Sequence, residues 1–221
     1  MKKWLALAAT AVLGASLLIS GCGSSTNNAS SSGASSSKAE VLKVAANPVP
    51  HAEILNHIKP LLAKEGVDLQ VIEFTDYIQP NMALSSKEVD ANFFANVPYQ
   101  NNFNKDHGTN FVSFAPVHIE PLAIYSQKIK DLKDLPNGAK VAIPSDPTNS
   151  ARALLLLQSA GLVTLKDPTG LTNTPFDVTS NPKNIQITEL EAAQIPRSIQ
   201  DLDAAVINAN YALPAGLNPT K

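Results

Sequence analysis

From Val41 onward, strand-type runs alternate with runs of helical periodicity, and this alternation confines the chain to layered α/β architectures. Val41–Ala46 reads as a strand that Pro48 and Pro50 interrupt. Ile54, Leu55, Ile58, Leu61 and Leu62 then recur at helical spacing over 52–64 and stop at Gly66. Pro60 inside that run predicts a kink or an early end. Val67–Phe74 predicts a second strand, 81–86 a helix, Ala91–Phe94 a strand, and 97–105 a helix. Phe111–Tyr125 reads as extended, with Pro116 and Pro121 along it. A second set opens with the buried-type strand Lys140–Pro144 and a strong helix over 150–160, closed by Gly161 at the position after the last turn. Ile185–Leu190, a short helix over 195–202 and the strand Ala204–Asn208 complete it. Two α/β groups joined by a proline-marked segment predict two lobes with a cleft between them and mainly parallel sheets. The first lobe takes 39–120; 121–221 forms the second and begins the return to the first.

The N-terminus follows a different logic. Lys2 and Lys3 precede an uncharged, mostly apolar run of 16 residues from Trp4 to Ile19. A spanning helix needs about 20 such residues, so 1–21 reads as a signal peptide. The run ends Ile19-Ser20-Gly21-Cys22, which resembles the bacterial lipobox and implies that Cys22 is lipidated and becomes the new N-terminus. A diacylglyceryl anchor supplies two chains at ~0.8 kcal/mol per buried CH₂, enough for stable attachment to a membrane. Residues 23–38 hold eight serines in 16 positions, so 22–38 reads as the lipidated cysteine and a soft leash. The expectation is an exported protein tethered to the outer face of a bacterial cell membrane.

Composition narrows the function. Lys+Arg is 17 against Asp+Glu 19; without the two leader lysines the balance is 15 against 19, or −4. A mildly acidic body has no electrostatic handle for a phosphate backbone, which disfavours nucleic acid. Hydrophobic residues at 44% allow a packed core. One cysteine provides neither a disulfide framework nor a cysteine-rich zinc site. The chain has no Gly-x-Ser-x-Gly elbow, no P-loop and no His-Glu-x-x-His, and its four histidines lack helical i,i+4 pairing. Neither a metal, a cofactor nor an enzyme activity is therefore expected. His118 and Glu120 alternate on one strand and can meet on one face, as a solvated or interlobe pair.

Three groups of residues suit binding. Six of the eleven aromatics after the leader fall between Phe74 and Phe103. Phe74 and Phe103 read as core. Tyr77, Phe94 and Tyr99 lie at strand ends and loops beside Asp76, Asn92 and Asn96, where open α/β sheets take ligands. In 147–152, a helix N-terminus capped by Thr148 or Asn149 offers free N–H groups to a carboxylate. Arg152, one of only two arginines, has the wrong charge for that end, at a cost of about 0.3–1 kcal/mol. Either a carboxylate clamp or a salt bridge would account for it. Asn208 and Asn210, at the end of a buried strand, either close a turn or hold a polar ligand group.

Taken together, the chain from Val41 on resembles the methionine-binding lipoproteins of bacterial ABC importers, the MetQ/NlpA family. The resemblance rests on Asp90-Ala91-Asn92-Phe93-Phe94 with Pro98-Tyr99, on Val117-His118-Ile119-Glu120-Pro121, and on Ile143-Pro144-Ser145-Asp146-Pro147-Thr148-Asn149 with Arg152 and 154–158. It is extended by Asn181-Pro182-Lys183-Asn184, by Glu189-Leu190-Glu191-Ala192 with Pro196-Arg197-Ser198, and by Ala205-Val206-Ile207-Asn208. It implies a two-lobed periplasmic-binding-protein fold, type II-like, that closes on L-methionine and hands it to a membrane permease with its ATPase inside. By the same resemblance Arg152 clamps the carboxylate, while Asn149 and Asn208 hold the amino-acid backbone groups, with Asn210 beside them. Tyr77, Phe94 and Tyr99 line the thioether pocket, where sulfur–aromatic contacts contribute ~0.3–1.5 kcal/mol each.

Two departures qualify the resemblance. Asn96 stands where many members carry a histidine two residues after the pocket phenylalanine. The side-chain end of the pocket thereby leaves open D-methionine, methionine sulfoxide, a Met dipeptide or another amino acid as ligand. The family pattern also continues beyond position 221, which implies a first lobe lacking the C-terminal segment that completes it and a less stable domain. A surface adhesin or an exported hydrolase are the readings from other classes.

Overall fold

The structure, a computed structural model, describes residues 39–219. Cys22, the leader and the leash therefore lie outside the described residues. In chain order the elements are β1 (Glu40–Ala46), α1 (Glu53–Lys64), β2 (Val67–Glu73), α2 (Gln79–Ser85), β3 (Ala91–Phe93) and α3 (Val97–His107). They continue with β4 (Leu122–Tyr125), β5 (Lys140–Pro144), α4 (Pro147–Ser159), β6 (Thr164–Leu165), β7 (Val178–Ser180), β8 (Gln186–Leu190), α5 (Ile195–Ser198), β9 (Ala204–Asn208) and α6 (Ala209–Ala212).

The first six elements build a three-stranded parallel sheet in the order β2-β1-β3. Alternation along β1 divides its side chains between two faces. Val44 and Ala46 join Leu55 of α1 and Leu69 of β2 on one, while Ala45 meets Ala83 and Val89 on the other. α1 runs through Pro60 to Lys64 with neither the expected early end nor a break. Asn56, whose carbonyl loses its helical partner to the proline, and Pro60 are both exposed, so water can satisfy the orphan group.

The second sheet has the order β4-β9-β5-β8. β5 is parallel to β8 and β9, whereas β4 is antiparallel to β9. Every residue of β9 is buried, as a central strand covered on both faces requires. Val141, Ile143, Ala204 and Val206 pack against Leu154 and Leu157 of α4. Ala142, Ala205 and Ile207 face the other way, onto Ile195 and Ile199 around α5. A two-stranded antiparallel sheet, β6-β7, which the sequence pattern does not predict, sits outside this layer.

Two expectations need correction. The extended segment 111–125 forms a strand only at β4; residues 109–121 have no regular structure, and Val112, Phe114 and Ile119 are exposed by 82%, 84% and 94%. α4 begins three residues before the predicted start. Asp146 is its N-cap, accepting from the Asn149 N–H at 2.9 Å, and Pro147 occupies the first helical position. Neither Thr148 nor Asn149 caps the helix, because proline's fixed φ and missing N–H suit the first position and leave the cap to the residue before it. Arg152 consequently stands in the second turn, where the dipole penalty has largely faded.

Candidate functional site

The carboxyl ends of β3 and β9 and the first turns of α4 meet at a cavity of about 800 Å³, a volume suited to a small molecule. Seven of the eight residues expected to bind ligand line it: Tyr77, Phe94, Asn96, Tyr99, Asn149, Arg152 and Asn208. Asn210 does not. It is buried behind the wall, and its Oδ1 accepts the Tyr77 hydroxyl at 2.6 Å.

One end of the cavity is aromatic. Tyr77 stacks on Phe94 at 6.0 Å between ring centroids, and Tyr99 meets both edge-on at 5.9 and 5.8 Å. Each hydroxyl is anchored inward: Tyr99 donates to the Tyr77 carbonyl at 2.8 Å, and Tyr211, behind Tyr77, donates to the Thr75 carbonyl at 3.1 Å. Burial raises the pKa of all three tyrosines well above the ordinary value, so they remain neutral donors. Asn96 caps α3, accepting from the Tyr99 N–H at 2.9 Å, and thereby fixes the backbone that carries Tyr99.

The other end is polar, and its proton directions are determined by the arginine. A guanidinium only donates, so the atom facing Arg152 Nη1 at 2.8 Å is Asn149 Oδ1. Asn149 Nδ2 then faces the Asp146 carboxylate, at 3.0 and 2.9 Å from its two oxygens. Asn149 Oδ1 also accepts from Asn208 Nδ2 at 3.0 Å, so Asn208 turns its Oδ1 elsewhere; that atom is buried and has no partner among the described residues. Arg152 Nη2 reaches the Glu120 carbonyl at 3.4 Å. No carboxylate pairs with Arg152 among the described residues, which leaves its charge directed at the cavity. Burial raises the Asp146 pKa, and the bonds from Asn149 and the Arg152 charge only partly offset this. With that carboxylate bound to the Asn149 N–H and Nδ2, fewer helix N-terminal donors remain for a ligand than the sequence suggests.

A third cluster brings His51 from before α1 against His118 and Glu120 from the irregular segment. Both histidines approach one oxygen of Glu120 through Nε2, at 2.8 Å for His51 and 3.1 Å for His118. Sequence spacing finds the His118–Glu120 pair but not His51, which the fold brings in from 69 positions away in the chain. Two imidazoles and a carboxylate could hold a divalent ion, since their donor atoms all lie within 4.8 Å of one another. As hydrogen bonds, the same contacts fix the carboxylate. Burial raises the Glu120 pKa, but the bonds and charges of the two histidines more than offset it, and the carboxyl lies below the ordinary glutamate range. A group with a depressed folded-state pKa stabilises fully above its unfolded value and loses that contribution as pH falls through the folded one. The melting temperature therefore falls on acidification below the ordinary glutamate range, and it falls less in Glu120→Gln. Equal acid slopes in paired thermal melts would contradict this.

A family model described as NlpA lipoprotein matches residues 42–221. The chain belongs to the NlpA lipoprotein family. Among relatives, it is 49% identical over 160 residues to the D-methionine-binding lipoprotein MetQ of Salmonella typhimurium, covering 72% of this chain and 59% of that protein. The chain thus spans about three fifths of the length of that curated relative. Among solved structures, a nutrient-binding protein from Burkholderia cenocepacia bound to methionine is 49% identical with a TM-score of 0.78, over 81% of this chain and 76% of that one. A lipoprotein from Ruminococcus gnavus, also 49% identical, superposes with a TM-score of 0.80 over 83% of this chain and 75% of that one. These likenesses bear out the α/β binding-protein fold.

Proposed function

We propose that the chain is the substrate-binding lipoprotein of an ABC importer, taking L-methionine between lobes at 39–120 and 121–221 and delivering it to a membrane permease and its ATPase. The observation that carries this reading is one cavity combining an unpaired arginine with a three-ring aromatic wall, in a fold shared at 49% identity with a methionine-bound relative. Arg152 takes the carboxylate, Asn149 and Asn208 orient the backbone groups, and Tyr77, Phe94 and Tyr99 surround the thioether. Asn96 and Asn210 act one step back: the first fixes Tyr99, the second holds the Tyr77 hydroxyl. The protein performs no chemistry of its own. Lipidation of Cys22 tethers it to the outer face of the cell membrane.

D-Methionine is the second reading, favoured by the name of the Salmonella relative. A thermal-shift panel separates the two. A ligand at 100 times its Kd adds ~2.7 kcal/mol, or roughly 5–10 °C for a domain of this size. L-Methionine is expected to give the largest shift, ahead of D-methionine, methionine sulfoxide and Met dipeptides. A larger shift with D-methionine would establish the second reading, and no shift with any of the four would overturn both.

A further inference from the structure

Helical spacing reveals no metal site in this sequence, yet the fold assembles a set of metal-type donors from two separated stretches of chain. His51 precedes α1, and His118 and Glu120 come from the irregular segment before β4. One donor atom from each of the three side chains lies within 4.8 Å of the other two. Both histidines present Nε2, at 2.8 and 3.1 Å, to the same oxygen, Glu120 Oε1. Four-coordinate zinc holds imidazole nitrogen and carboxylate oxygen at about 2.0–2.2 Å, which places its donor atoms about 3.3 Å apart. Each imidazole therefore needs to move outward by roughly half an ångström or less to admit the ion. Phe93 meets His51 edge-on at 4.9 Å and His118 at 5.5 Å between ring centroids, an apolar backing that holds both rings on the carboxylate. His51 is buried, whereas His118 and Glu120 are partly exposed, which gives an ion a way in.

We propose that His51 Nε2, His118 Nε2 and a Glu120 carboxylate oxygen form a binding site for a zinc ion, whose fourth position is left to water. Two imidazoles and a carboxylate, with no thiolate, suit a borderline divalent transition ion and do not suit calcium or magnesium, which take oxygen donors. Ligation through Nε2 requires each ring to be neutral with its proton on Nδ1. His51 Nδ1 has no partner among the described residues, so no second hydrogen bond holds the ring in the opposite tautomer. The bound ion replaces two hydrogen bonds with two coordinate bonds and pins 118–120 to the start of α1. The site stands on these three side chains alone and does not depend on methionine being the ligand.

The test is calorimetric titration of the chain, stripped with EDTA and dialysed, with zinc chloride. Beside it stand His118→Gln, Glu120→Gln and, as a control, His57→Gln, an exposed histidine of α1 outside the cluster. The unsubstituted chain should bind one zinc ion per molecule. His118→Gln and Glu120→Gln should each weaken that binding by about 10-fold or more, and His57→Gln should leave it unchanged. If Glu120→Gln fails to melt cooperatively, His118→Gln, at a partly exposed position, carries the comparison. Cobalt(II) gives a reading that needs no variant: the chain should show the visible bands of a four-coordinate nitrogen and oxygen site. A thiolate charge-transfer band would place the ion on Cys22, the one thiol of the chain, and overturn the site. No saturable zinc binding, or equal affinity in His118→Gln and the unsubstituted chain, also overturns it. None of these outcomes touches the methionine reading, which fails separately if methionine gives no heat in the presence of EDTA.

Discussion

Replacing Arg152 with alanine is expected to raise the Kd for methionine by about 100-fold. The guanidinium belongs to the one arginine or lysine on the cavity wall, no carboxylate among the described residues forms a salt bridge with it, and a bidentate charge-assisted contact to a carboxylate contributes roughly 3 kcal/mol in a desolvated site. Part of the loss is indirect. Asn149 Oδ1 receives both Arg152 and Asn208, so alanine removes one of the two donors that fix the Asn149 amide between Asp146 and Asn208. Lysine at 152 should recover only part of the affinity. It restores the charge but cannot present two parallel N–H groups while a third holds Asn149. Titration of the three proteins checks this, and an alanine variant within about threefold of the unsubstituted chain would remove Arg152 from the site.

Leu154→Ala has the larger effect on stability, lowering it by about 3–5 kcal/mol. Leu154 is fully buried on the inner face of α4, among Val141, Ile143 and Val206 of the two central strands. Those strands are held by their neighbours in the sheet and cannot move in to fill the space, so the transfer loss and the cavity term add. In a domain of this size that corresponds to a melting temperature lower by roughly 6–20 °C. Leu156, only partly buried on the same helix, should cost much less when truncated. The contrast between the two, read by thermal or urea unfolding, tests whether the inward face of α4 is the one described. Similar losses at both positions would contradict it.

Much of the layered architecture is legible in the sequence because its signals are local. β5 and β9 are short apolar runs, and the alternation of Val141, Ala142 and Ile143 already separates the two faces that α4 and α5 cover. What escapes is non-local or hidden by a competing signal. The start of α4 was readable from Asp146-Pro147, a cap followed by the residue best suited to the first helical position. Thr148 and Asn149 compete as caps in that stretch, and propensity alone does not choose between them. The antiparallel pairing of β4 with β9 depends on where the chain lies after the irregular segment, which no periodicity encodes. Within the site, seven of the expected lining residues meet at one cavity, since strand ends and polar–aromatic mixtures point to it. His51 carries no such mark. It becomes a partner of Glu120 only when the loop before α1 is folded against 118–120. Asn210 shows the converse, a polar residue beside a site residue in sequence that supports the wall from behind.

The central claim is that the cavity between these elements takes free methionine, and isothermal titration of the chain with L-methionine tests it most directly. The account predicts saturable binding at one site, with heat that disappears in Arg152→Ala. A chain that is folded by circular dichroism and gives no heat with L-methionine would contradict it.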